Sequence, residues 1–308
     1  MTQDDERVAE ADELAPFEGE IARKEPPDWS DLSVRFGVAA VMAVLGLAAM
    51  WVGGWTFRIV VAALCALMIW ETARMLSHGP AVRPLRLPPS RRAAKPARSW
   101  APLVLAGTGG LALVLVFVLP PGWALPLVLI PGLAGLRLMR HNRTILTTFC
   151  TGILLAGWGL ADLRTEYGFG WMMWLAAVVI ATDVFGYFAG KQFGGPKFWP
   201  RVSPKKTWAG TIAGWAASAV VGALWWVFGG ADSQIIGISV AISMASQMGD
   251  ISESAVKRKM GVKDSSALLP GHGGVFDRFD GMLGAALLLL FVEALIGFPP
   301  TAAGLADP

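Results

Sequence analysis

The residues best equipped for chemistry lie in the last third of the chain. Asp250, Glu253, Ser254 and Lys257 stand at i, i+3, i+4 and i+7, so a helix puts all four on one face. Beyond them, Pro270-Gly-His-Gly-Gly274 is a glycine-rich turn that leads into Asp277, Arg278 and Asp280 at the start of an apolar run. Carboxylates set this deep beside apolar sequence need a partner, and a divalent cation is a natural one. Carboxylates for a metal, cations for phosphate and bare backbone N–H groups at a helix start are what phosphoryl chemistry requires.

A second segment runs from Asp183 through Gly186, Gly190, Lys191, Gly194 and Gly195 to Arg201-Val-Ser-Pro-Lys-Lys-Thr-Trp-Ala-Gly210. Asp183 falls inside an apolar run, where a carboxylate costs at least about 2.5–3.5 kcal/mol. The glycines would let backbone approach a ligand. Ser203, Lys205, Lys206 and Thr207 bring hydroxyls and positive charge to a helix start, a setting suited to polyphosphate. Plainer roles compete at each position. Asp277 and Asp280 could cap a helix, Glu253 could pair with Lys257 along one, His272 could hold a turn, and the first segment could be a basic loop with a hydroxyl cap. Capping accounts for one aspartate, but not for two acidic clusters flanking a Gly-His-Gly-Gly loop.

The elements that must position these groups are apolar. Hydrophobic residues make up 54% of the 308 residues and charged ones 16%, against about 25% charged in an ordinary soluble domain. The excess comes in nine blocks, near 34–53, 57–76, 100–119, 122–138, 144–162, 171–190, 209–228, 234–256 and 281–298, of the length that crosses roughly 30 Å of hydrocarbon. Pro126, Pro131 and Gly132 interrupt the fourth, which is expected to kink or re-enter. Trp51, Trp55, Trp100, Trp123, Trp171 and Trp226 sit at block ends, as interfacial anchors do. Cys65 and Cys150 fall inside blocks and read as small core residues, neither a disulfide nor a metal motif.

Alternate loops hold nearly all the basic residues: Arg83 to Arg98, Arg140 and Arg143, Lys191 to Lys206, and Lys257 to Arg278. By the positive-inside rule these loops are cytoplasmic. The N-terminus, charged and without an apolar signal segment, is then inside. The basic balance thus points to a membrane face and not to nucleic acid. The expected fold class is all-α, a polytopic membrane helical bundle of about nine transmembrane helices. Its expected parts are a cytosolic tail (1–33), N-terminal transmembrane helices (34–170), a C-terminal transmembrane catalytic domain with cytoplasmic motif loops (171–300) and a short tail (301–308). A transporter would show charges lining a path, and an internal repeat in many cases; here the charges gather at one face.

Ser254-x-x-Lys257-Arg258, then Lys263-Asp264, then Pro270-x-His272-Gly-Gly-x-x-Asp277-Arg278-x-Asp280 resembles the signature of bacterial phosphatidate cytidylyltransferases. Ser203-Pro204-x-Lys206-Thr207-Trp208-x-Gly210 is similar to a second stretch of that family, with Lys205 and Ala209 where the family usually has Gly and Glu. The motifs cover roughly residues 183–280, and the N-terminal half contributes only its hydropathy.

The resemblance implies that CTP and phosphatidate give CDP-diacylglycerol and pyrophosphate, with the lipid phosphate attacking the CTP α-phosphorus and Mg²⁺, with room for a second cation, assisting. It implies metal binding most directly by Asp250 and Asp277, with Glu253 and Asp280 next. Lys206, Lys257, Arg258 and Arg278 are expected to meet triphosphate or lipid phosphate, and Ser203, Thr207 and Ser254 to bond phosphate oxygens. Asp183 is expected beside the substrate, and His272 to shape the loop or bond a phosphate. The expected partners are CTP, phosphatidate and membrane lipid, with no nucleic acid and a homodimer left open. The expected location is the inner membrane, with the site facing the cytoplasm as a polar cavity and a lateral gap for lipid.

Overall fold

The computed structural model describes residues 29–77, 100–269 and 271–298. Most of the expected cytosolic tail, the basic loop from Arg83 to Arg98, Pro270 and the C-terminal tail lie outside the described residues. Among those described are nine α-helices: α1 (Trp29–Val52), α2 (Gly54–Ser77), α3 (Ala101–Val118), α4 (Ala124–Leu138), α5 (Arg143–Glu166), α6 (Gly168–Phe193), α7 (Trp208–Phe228), α8 (Gln234–Met260) and α9 (Phe276–Ile296). Seven of them, α2, α3 and α5 to α9, are long and apolar enough to cross a membrane. The apolar run of α1, Phe36–Val52, and the whole of α4 are shorter. The interrupted fourth block thus becomes a one-turn 3₁₀ segment, Pro121–Trp123, followed by a 15-residue helix with Pro131 inside it.

Large apolar side chains cover the outside of the bundle. Val220, Val227, Phe228, Phe188 and Leu295 are each more than half exposed, a surface that suits lipid and not water. Most of the expected interfacial tryptophans are exposed, but Trp171 is not. It is buried, with its ring edge-on to Trp174 and Phe298 at 5.7 and 5.3 Å. A block-end position does not separate an anchor from a ring packed between helices. Both cysteines are buried and free, and the Cys65 thiol donates to the Ile153 carbonyl.

Between α6 and α7 the chain makes a small antiparallel hairpin, β1 (Lys197–Trp199) paired with β2 (Ser203–Thr207), which the all-helical expectation did not contain. Phe198 packs on Trp208 at 4.7 Å, and the Trp208 N–H bonds the Pro196 carbonyl, so the hairpin is tied to the start of α7.

Helices with an apolar exterior gain little from hydrophobic association in lipid, and close backbone packing takes its place. Small residues provide it at two seams. A Cβ on Gly249 of α8 would overlap the Asp280 carbonyl of α9, and one on Gly284 would overlap the Ala245 carbonyl. A Cβ on Gly210 of α7 would overlap the Gly186 carbonyl of α6, and one on Gly186 would press on the Gly210 carbonyl at 3.3 Å. The glycines at 186, 190 and 210, expected to admit a ligand, admit a neighbouring helix, and all three also line a cavity beside it.

Asn142 at the start of α5 donates to the carbonyl of Leu76 at the end of α2 and to Met260 at the end of α8. One end of the bundle therefore carries the ends of α2, α6 and α8 and the starts of α5, α7 and α9. Gly284→Ala should lower stability by about 1–3 kcal/mol through overpacking. Gly237→Ala on α8, where nothing lies within 4 Å of an added Cβ, should be neutral or raise it by up to about 1 kcal/mol. Thermal unfolding in detergent measures both.

Candidate active site

Two helices deliver the acidic residues to that end. The i, i+3, i+4, i+7 spacing on α8 presents Asp250, Glu253, Ser254 and Lys257 toward the first turn of α9, and the glycine seam brings α9 close enough to meet them. Lys257 stands between two carboxylates, its Nζ 2.5 Å from Glu253 Oε2 and 2.7 Å from Asp277 Oδ1. Glu253 is 1% exposed, and neither of its oxygens makes a well-formed hydrogen bond among the described residues despite that ammonium. Oxygens of Asp250, Glu253 and Asp280 lie within 4.8 Å of one another. A buried carboxylate paired through one oxygen with Lys257 and left with Oε1 unpartnered among the described residues, inside a set of three convergent ones, fits a hard divalent cation.

Asp250 also touches the hairpin. Lys206 Nζ is 2.5 Å from Asp250 Oδ2, and the Ser254 hydroxyl lies 3.2 Å from Oδ1. A cavity of about 330 Å³ opens here, lined by Asp183, Lys205, Lys206, Thr207, Gln247 and Asp250 among others. Asp183 is exposed and lines this cavity, which answers how a carboxylate sits inside an apolar helix. Lys205, the departure from the family pattern, lines the same cavity.

On the other side of the trio, a second cavity of about 470 Å³ lies between α5, α8 and α9. Phe149, Ile153, Met248, Leu283 and Leu287 line it, and Asp280 is its acidic residue.

Asp277 is differently placed. Its carboxylate accepts from the N–H groups of Gly274 (2.7 Å) and Ser265 (2.9 Å), lies 3.0 Å from the Ser265 hydroxyl and binds Lys257. It organises the loop before α9 from the edge of the trio. The helix start expected to be bare is partly filled. The N–H groups of Val275 and Phe276 donate to Glu71 of α2, and that of Gly274 to Asp277. At α7, the Thr207 side chain accepts from the Gly210 N–H as an N-cap, and Thr207 is buried.

The remaining predicted residues lie further out. The guanidinium of Arg278 donates twice to the His272 carbonyl, at 2.7 and 3.1 Å, which closes the Gly-His-Gly-Gly turn. Arg258 is exposed at the end of α8. Ser203 pairs with Trp199 at the start of β2 and is absent from the lining of the polar cavity.

Sequence reasoning missed Glu71, Ser265, Ser266 and Gln247. Glu71 and Gln247 each carried a signal, a strongly polar residue inside an apolar block. Gln247 accepts from the Trp215 indole at 3.0 Å and lines the polar cavity. Glu71 brings a residue of the N-terminal half, outside the motifs, to the edge of the site.

Comparison with known proteins gives a consistent picture. The sequence model of the cytidylyltransferase family matches residues 33–295. A phosphatidate cytidylyltransferase of Brucella abortus is 34% identical over 280 residues, which cover 88% of this chain and 96% of the relative. One of Helicobacter pylori is 37% identical over 159 residues, 50% of this chain and 59% of the relative. One of Mycobacterium tuberculosis is 38% identical over 152 residues, 46% of this chain and 44% of the relative.

Lys257→Ala should leave Glu253 and Asp277 facing each other without a cation and cost about 3–5 kcal/mol. The double change Lys257→Met with Glu253→Gln should recover part of that loss, as read by unfolding in detergent.

Proposed function

This chain belongs to the cytidylyltransferase family, and from that premise we propose that it transfers the cytidylyl group of CTP to phosphatidate, giving CDP-diacylglycerol and pyrophosphate. The observation that carries the reading is the position of the carboxylate trio. Asp250 borders the polar cavity, Asp280 borders the apolar one, and their oxygens lie within 4.8 Å of each other. A reaction that joins a water-soluble nucleotide to a lipid needs such a junction.

In this reading the lipid phosphate oxygen forms a bond to the α-phosphorus of CTP. The bond from that phosphorus to the oxygen bridging to the β-phosphorus breaks, and pyrophosphate leaves with the electron pair. No residue need form a covalent intermediate. A phosphate monoester is already largely dianionic near neutral pH, so no strong base is required, and His272 is assigned none. Lys206, on the wall of the polar cavity, and Lys205 beside it meet the triphosphate. Lys257 holds Glu253 and Asp277 in place. The acyl chains of phosphatidate lie along Phe149, Leu283 and Leu287, with the phosphate toward Asp280. Asp250, Glu253 and Asp280 are the residues that would hold Mg²⁺, which supplies neutralisation of phosphoryl charge when bound. Positioning and charge neutralisation then account for catalysis. By the distribution of basic residues, the site faces the cytoplasm from the inner membrane.

The test is transfer of α-labelled phosphorus from CTP into lipid by purified protein in phosphatidate micelles. Mg²⁺-dependent labelled CDP-diacylglycerol is expected from the wild type, and none from Asp277→Asn. Folded wild-type protein that forms no liponucleotide from any nucleotide and lipid acceptor would overturn the reading. Separately, Mn²⁺ binding without substrates, read by electron paramagnetic resonance, should weaken about ten-fold or more in Asp280→Asn.

A further inference from the structure

Glu71 has no part in the chemistry above, yet it is fully buried with both carboxylate oxygens engaged. Oε1 accepts from the Val275 N–H at 3.0 Å and the Ser266 hydroxyl at 2.6 Å. Oε2 accepts from the Phe276 N–H at 2.7 Å, with the Ser265 hydroxyl 3.4 Å away. Helix starts are ordinarily capped by the residue just before them. Here that residue is Val275, which has no side chain able to cap, and a helix 204 residues earlier in the chain supplies the carboxylate. Its charge suits the positive end of α9.

The contact also reaches the loop. The Ser265 hydroxyl lies 3.0 Å from Asp277 Oδ2 as well as 3.4 Å from Glu71, and its single proton serves one carboxylate at a time. Gly274 runs so close that an added Cβ would be 2.6 and 2.8 Å from the two Glu71 oxygens. Each carboxylate oxygen accepts from a backbone N–H, so an amide in its place would turn an N–H₂ toward one of them.

We propose that Glu71 is a positioning residue: it fixes the first turn of α9 and the loop before it, and so sets Asp280 against Asp250 and Glu253, and Asp277 against Lys257. It touches none of the trio and acts through backbone. The kinetic part of this proposal rests on the cytidylyl-transfer reading; the structural part does not.

The experiment is Glu71→Gln in the full chain, with hydrogen exchange and steady-state kinetics measured together. The peptide covering Gly274–Asp277 should exchange about ten-fold or more faster while α6 and α7 keep wild-type protection. The kcat should fall about 10–100-fold, and KM for CTP should stay within about three-fold, because the hairpin side of the site is untouched. Ser266→Ala, which removes one donor and keeps the carboxylate, should move both readouts in the same direction by a smaller factor, and it serves if Glu71→Gln fails to fold. Unchanged exchange in that peptide, or kcat within about two-fold of wild type, would overturn the proposal. So would a uniform rise in exchange across all helices, which marks general support of the fold. Were the wild type to transfer no cytidylyl group, the functional reading would fall, and the exchange result would still decide the role of Glu71.

Discussion

One ammonium group between two carboxylates sets the terms for the rest of the structure. Lys257 lies beside Glu253 on its own helix and Asp277 on the next, in a bundle whose outer surface is apolar. A carboxylate taken out of water there is costly unless a cation or several hydrogen-bond donors are near; Asp277 has both, whereas Glu253 has only the ammonium. The requirement fixes how close α8 and α9 must come, and glycines at the seam make that distance reachable. The Lys206–Asp250 pair repeats the solution on the hairpin side. Two fixed cations thus flank three convergent carboxylates, one of which keeps an oxygen unpartnered among the described residues.

The site also shows that structural and chemical duties are shared by the same residues. Glu253 and Lys257 form the i,i+4 pair that any surface helix might carry, yet they do so buried. Thr207 is an N-cap and also part of the polar cavity wall. Asp277 holds loop backbone while it helps to orient Lys257. A loop whose hydrogen bonds are already closed has little freedom to rearrange when substrate enters, which favours pre-organised electrostatics over induced closure.

Much of the architecture was legible because its signals are local. The apolar blocks, their number and the shared face of Asp250, Glu253, Ser254 and Lys257 follow from length and period, and they appear as helices near the expected positions. The hairpin was not seen, although Gly194-Gly195-Pro196 ends a helical pattern and Phe198 and Trp199 favour strand. Two very short strands leave no periodicity to read. The roles of Gly186, Gly210, Gly249 and Gly284 depend on which helices become neighbours, and that is a property of the whole bundle. So does the occupancy of the α9 N–H groups: sequence shows a helix start, but not that a carboxylate from α2 already fills it. Trp171 belongs to the same class, since its burial depends on Phe298.

The separation of Glu71 from its donors has a consequence for biogenesis. The ribosome releases α2 about 200 residues before Val275 and Phe276 exist, an interval of roughly 10–40 s at about 5–20 residues per second. During that time the carboxylate lacks the N–H groups that will hold it, in a helix otherwise apolar enough to leave the insertion channel for lipid. The nascent helix must therefore find other donors for Glu71, water among them, until α9 arrives. Insertion of α9 is then also the step that ties α2 to the loop and helix bearing Asp277 and Asp280.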